Sequence, residues 1–207
     1  MNILILVLSS FQPPYDQLFQ AQKETWDSIC VESIETRYYT ASSMEEMPWA
    51  LKTMLDEVSQ RDWTYIFRTN SSSYVDKKML CTFAETLPKT GCYCGLDGGG
   101  FASGSGMFLS RDVVDILRNE IQEEKIEGLV EDEFYGRVFR QHGIGVTPGA
   151  KRYDFYYEEF VKQFYHQSQD HPKDHYHFRC KSDTFDRMKD VQAMKLIHRF
   201  KTEGVLW

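Results

Sequence analysis

Near its start the chain reads Ile3-Leu4-Ile5-Leu6-Val7-Leu8, six branched aliphatic side chains with no polar residue among them. Successive side chains of a strand point to opposite faces, so a run without a polar position predicts a strand covered on both sides. Such a strand belongs inside a parallel or mixed sheet. The run is too short to cross a membrane, which takes about 20 residues. It also lacks the basic start and longer apolar core of a signal peptide. Polar Ser9 and Ser10 end it. The expectation is a cytoplasmic protein with no membrane span. The five cysteines, Cys30, Cys81, Cys92, Cys94 and Cys180, are odd in number and form no CxxC pair. They predict free thiols in a reducing compartment.

Helical and strand patterns alternate along the rest of the chain. Pro13-Pro14 breaks the chain after the first strand, and a helix over Tyr15–Ser28 carries Leu18, Phe19 and Trp26. Residues 34–40 read as a second strand. From Met47 to Ser59 the apolar positions Leu51, Met54, Leu55 and Val58 recur at three and four, which predicts an amphipathic helix. Trp63 to Arg68 is a strand ending in the polar cluster Thr69 to Ser73. A helix over 76–87, a short strand at Cys92-Tyr93-Cys94, a glycine-rich loop from Gly95 to Gly106 and a strand at Met107-Phe108-Leu109 follow. Helices over Arg111–Asn119 and Glu131–Gln141 come next, the second closed by Gly143. The fold class expected is α/β: a mixed, mostly parallel central sheet flanked by helices, a Rossmann-like sandwich. The length of 207 residues fits a single domain, with the aromatic, histidine-rich stretch 153–207 as a C-terminal extension packing on the site.

In such sheets, ligands sit beyond the carboxyl ends of the strands. That rule singles out Ser9-Ser10-Phe11, Thr69 to Ser73, and Gly95 to Gly106. A net charge of −7 makes the chain a poor partner for a nucleic-acid backbone, though one anion in one basic pocket is compatible with it. Lys23, on the first helix, is either a phosphate contact or a solvated lysine beside a core tryptophan. Asn70, Ser71 and Ser72 are either ligand-holding groups or a serine turn, with Ser73 or Asp76 capping the next helix. The glycine stretch has neither the P-loop ending nor the dinucleotide position. It is a flexible connector or a close backbone approach to a ligand. Glu131-Asp132-Glu133 opens a helix, where acids are favoured by the dipole; the functional alternative is a general base. His166, His171, His175 and His177 cluster late in the chain. A strand through His175-Tyr176-His177-Phe178 would put two imidazoles on one side, with Asp170 and Asp174 as added oxygens.

Taken in order, these segments resemble glycosyltransferases of the fringe and β-1,3-galactosyltransferase type, which have a GT-A fold. The matching blocks are Lys23-Glu24-Thr25-Trp26, the frame from Trp63 to Val75, Ser103-Gly104-Ser105-Gly106 with Ser110-Arg111, Glu131-Asp132 through Gly143-Ile144, and the late histidines. They span roughly residues 3–180. The chain is also similar to glycosyltransferase domains of large DNA viruses of algae, such as chlorella viruses, which would put it in the host cytoplasm. The resemblance implies hexosyl or deoxyhexosyl transfer from a UDP-sugar to a glycan or glycoprotein acceptor. Ser9, Ser10 and Phe11 would line the base pocket. Lys23, Arg68, Asn70, Ser71, Ser72 and Gly104 would hold the donor, and Asp132 or Asp97 would serve catalysis. The family's metal-binding Asp-x-Asp is replaced by Asn70-Ser71-Ser72. Mn²⁺ or Mg²⁺ would then rely on Ser72, Asp76, His175 and His177, with weakened affinity. Alternatively Lys23, Arg68 or Arg179 would neutralise the leaving diphosphate directly. Loss of the acidic pair also leaves open a non-catalytic module that binds nucleotide-sugar or glycan.

Overall fold

In the computed structural model, which describes residues 1–122, 130–159, 174–184 and 186–203, the aliphatic run becomes β1 (Ile3–Ser9). Ile3 to Val7 are at most 2% exposed, so both faces of the strand are covered. Each such side chain contributes about 1.5–3 kcal/mol by leaving water. β1 is the second strand of a five-stranded sheet with order β2-β1-β3-β6-β5. Its partners are β2 (Ile34–Thr40) and β3 (Tyr65–Asn70), both parallel to it.

The other two pairings run the opposite way. β6 (Ala102–Ser110) is antiparallel to β3 and to β5 (Tyr93–Asp97). The sheet is therefore mixed, and the expectation of a mostly parallel sheet is corrected. The reason lies in the glycine stretch. Gly99 and Gly100 take φ of +95° and +96°, a region that favours glycine, and Gly98 N–H bonds Phe101 O at 2.7 Å. The chain doubles back there into a hairpin, and residues 102–106, expected as loop, are strand. Gly95 lets the two strands close up, since a Cβ on it would lie 2.8 Å from that of Ala102.

Helices α2 (Met47–Val58), α4 (Arg111–Glu120) and α5 (Glu131–Gln141) bury their apolar faces in one core with this sheet. Leu51, Leu55 and Val58 meet Leu4, Leu6 and Ile66 there, with Val114, Leu117, Phe134 and Phe139. Gly143, at φ +72°, ends α5 as expected, and its N–H bonds Arg140 O.

By compactness the chain divides into two units. The first holds 1–9, 32–70 and 84–150, and so the whole five-stranded sheet. The second holds 10–31, 71–83 and the described residues from 151 on. Its sheet has the order β4-β8-β7, from β4 (Ser73–Val75), β7 (Arg152–Tyr156) and β8 (His177–Lys181). Around it lie α1 (Tyr15–Glu24), a short 3₁₀ turn at Trp26–Ser28, α3 (Lys77–Ala84) and α6 (Arg187–Glu203). Ser73 is a strand residue, while Asp76 caps α3 by accepting from Met79 N–H at 3.1 Å. No described helix is long and apolar enough to cross a membrane.

Candidate active site

In the first unit the chemistry gathers around Arg68, on β3. Arg68 lies in register with Leu6 of β1, and its side chain is 3% exposed. A buried guanidinium is tolerable only when its charge and donors are met. Here Nη2 donates to Glu131 Oε2 at 2.6 Å, Nε donates to Tyr39 Oη at 3.0 Å, and Nη1 donates to Gly104 O. Glu131 receives a second bond from Tyr135 Oη at 2.7 Å, from one turn along α5. Burial pushes the Tyr39 phenol up to about 12, against the pull of the Arg68 charge. Burial, then the Glu131 carboxylate, pushes Tyr135 well above its ordinary range. Both phenols stay protonated at neutral pH.

This buried pair holds the next residue. Asp132 is partly exposed at the start of α5, and its Oδ2 accepts from Gly104 N–H at 2.8 Å. Gly104 is thus gripped on both sides: its carbonyl by Arg68 and its amide by Asp132. It has no room for a side chain, because a Cβ would run into Asp132 Oδ1 and lie 2.6 Å from Arg68 Nη1. Thr69 Oγ1 donates to Ser105 O at 2.7 Å and ties β6 to the carboxyl end of β3. The arrangement presents a carboxylate fixed at one oxygen and accessible to solvent, which is what a positioned proton acceptor requires. Asp97 is different. Its Oδ1 accepts from Gly99 and Gly100 N–H at 2.9 and 2.8 Å, so it braces the hairpin. Ser9 ends β1, and its buried hydroxyl has no hydrogen-bond partner among the described residues. Asn70 ends β3 in register with Leu8.

The remaining expected residues lie in the second unit. Ser10 Oγ accepts from Gln12 N–H at 3.2 Å, and Phe11 is 55% exposed with its ring edge-on to Phe19 at 4.9 Å. Lys23 reaches Asp27 at 2.7 Å. Trp26 is fully buried, and its Nε1 donates to Ser73 O at 2.9 Å. Ser71 and Ser72 are nearly buried, and Ser72 O accepts from Cys180 N–H at 2.8 Å. The residues expected to hold a metal are engaged elsewhere. Asp76 caps α3 with one oxygen and meets Lys201 at 3.2 Å with the other. His175 Nδ1 lies 3.0 Å from Asp174 Oδ1. His177 Nε2 lies 2.9 Å from Ser73 Oγ; burial, then Arg152 and Arg179, holds its pKa well below the ordinary range. Among the described residues, no group of three His, Cys, Asp or Glu gathers as a metal site. Manganese and magnesium favour several carboxylate or carbonyl oxygens. Two imidazoles, a hydroxyl and one carboxylate paired with a lysine do not fit them. His166, His171 and Asp170 lie outside the described residues.

Sequence reasoning missed Tyr39, Tyr135 and the burial of Arg68. The four-residue spacing of Glu131 and Tyr135 on one helix was the available signal for one of them.

No protein-family model matches the chain, and no curated protein sequence does so significantly. Solved structures do match. A glycosyltransferase involved in the glycosylation of the major capsid of PBCV-1 aligns at TM-score 0.60 and 14% identity, over 94% of this chain and 100% of that one. The apo form of the glycosyltransferase GlyE of Streptococcus pneumoniae TIGR4 aligns at TM-score 0.56 and 10% identity, over 94% of this chain and 60% of GlyE. The chain has the fold of these glycosyltransferases.

Proposed function

We propose that the chain is a glycosyltransferase that moves a hexosyl or deoxyhexosyl group from a UDP-sugar to a glycan or glycoprotein acceptor. The observation that carries this reading is the Asp132 carboxylate, held on Gly104 N–H above the buried Arg68–Glu131 pair. The fold shared with two glycosyltransferases supports it. One of these takes part in glycosylating a capsid protein, which favours a glycoprotein acceptor and is the support for a viral chain acting in host cytoplasm.

In this reading Asp132 accepts the proton of an acceptor hydroxyl. The hydroxyl oxygen forms the new bond to the anomeric carbon. The bond from that carbon to the diphosphate breaks, and its electron pair leaves on the diphosphate oxygen. A single displacement of this kind inverts the anomeric configuration. Positive charge develops on the sugar and negative charge on the leaving group, so the latter needs a cation beside it. Arg68 acts from below, as the group that positions Glu131, Gly104 and through them Asp132. Ser9, whose hydroxyl is unmet among the described residues, and Asn70 are the donor contacts proposed for the first unit.

The replacement of the Asp-x-Asp by Asn70-Ser71-Ser72 favours a second reading, a module that binds nucleotide-sugar without turnover. A screen of UDP-sugars with and without acceptor separates the two. Release of UDP that Asp132→Asn abolishes is the expected result. Binding without any release would establish the module instead.

A further inference from the structure

A leaving diphosphate needs positive charge, and three basic residues were candidates to supply it directly. Two of them are engaged. Arg68 is buried against Glu131, Tyr39 and Gly104. Lys23 is paired with Asp27 at 2.7 Å. The third, Arg179, stands on β8, partly buried, and its side chain makes no hydrogen bond or ion pair among the described residues.

Its surroundings are basic. The register sets Arg179 opposite Ser73 of β4 and Asp154 of β7, and sets Arg152 opposite His177. Alternation then puts Ser73, Arg152, His177, Arg179 and Lys181 on one face of this sheet. The apolar Tyr74, Phe178 and Cys180 occupy the other, where the Tyr74 and Phe178 rings pack at 6.1 Å. The one acid on the basic face, Asp154, is matched by Arg152 at 2.9 Å and by Lys181. Among the described residues Arg179 is left as a surplus charge on this face. Cys180 N–H bonds Ser72 O, so the backbone of Ser72, within the segment that stands in place of the acidic motif, runs beside β8. A site built for a cation would not collect guanidinium groups at this point.

We propose that Arg179 binds the donor's diphosphate and takes the charge that a divalent ion would otherwise neutralise, so that donor binding needs no metal. The proposal rests on the reading of the chain as a UDP-sugar-dependent protein. A guanidinium suits the task because it offers several N–H groups in a planar fork to phosphate oxygens.

Calorimetric titration with UDP and with uridine, each in chelator and in Mn²⁺, tests it. UDP is expected to bind in chelator, with an affinity that Mn²⁺ changes by less than about 3-fold. Arg179→Gln is expected to weaken UDP binding by about 10- to 100-fold and to leave uridine binding unchanged, which also shows that the variant is folded. Arg179→Lys keeps the charge without the fork and is expected to fall between them. UDP binding that requires Mn²⁺, or that Arg179→Gln does not weaken, would overturn the proposal and leave the transferase reading standing. No UDP binding in either condition would overturn both.

Discussion

At the scale of single residues, Asp132 and Gly104 make the sharpest demands. Asn at position 132 keeps an oxygen that can accept from Gly104 N–H but cannot take a proton. Asp132→Asn should therefore lower UDP-sugar turnover by about 10²- to 10⁴-fold, the usual contribution of a general base, while leaving the melting temperature nearly unchanged. Gly104→Ala is the converse. Its methyl group lands on the Asp132 carboxylate and the Arg68 guanidinium, so it should lose about 1–3 kcal/mol of stability through overpacking as well as activity. The ion pair beneath is tested by urea unfolding. Arg68→Met alone leaves Glu131 buried without its cation and should cost about 3–5 kcal/mol. Adding Glu131→Gln should recover part of that loss. Strictly additive losses would mean that the two side chains do not act as a pair. Little of this pair was legible in the sequence. Arg68 and Glu131 are 63 positions apart, and an arginine at a strand end reads equally well as a ligand contact or as a buried partner. Only the fold decides between them.

At the scale of elements, legibility followed hydrophobic periodicity. β1 and α2 were readable because a two-faced buried strand and an amphipathic helix leave distinct patterns. β6 was not, because its first half is small and glycine-rich, and glycine carries no pattern; what it allows is the close approach of β5 and β6. β4 was hidden for a different reason. It is three residues long, and its pairing with β8 lies over a hundred positions away. That pairing also explains the late histidines. The pattern put His175 and His177 on one side of a strand, but the strand begins at His177, which is buried against Ser73. The burial has a consequence for stability. The unfolded chain protonates His177 near pH 6.5, whereas the folded chain resists protonation until well below that. Between those values the unfolded state binds the extra proton, so stability is full above about pH 6.5 and falls with decreasing pH at up to about 1.4 kcal/mol per pH unit. Urea unfolding of the parent and of His177→Asn at pH 7.5 and 5.5 should show a smaller acid loss in the variant. Equal losses would mean that His177 is protonated in the folded protein.

At the scale of the whole molecule, the chain passes repeatedly between its two units, and two of the crossings fall at Ser9/Ser10 and Asn70/Ser71. A single domain was the natural expectation from length, because interleaved units leave no linker for composition to reveal. Neither unit is a contiguous stretch, so neither is obtained by cutting the chain once. A net charge of −7 would repel an anionic donor at long range, so the proposal requires its affinity to come from local groups such as Arg179 and from the uridine. Binding to the folded state alone stabilises it by mass action, about 2.7 kcal/mol at a hundred times the dissociation constant. For a chain of this length that corresponds to a rise in melting temperature of roughly 5–11 °C. Scanning calorimetry should show UDP producing such a shift and inorganic pyrophosphate a smaller one, since it offers the phosphates without the base. If the two units melt in separate steps, the step that UDP moves identifies the unit that supplies most of the binding energy. A trace in which saturating UDP moves no transition would rule out UDP binding by the folded chain, and with it both the UDP-sugar transferase and a module that binds UDP-sugars.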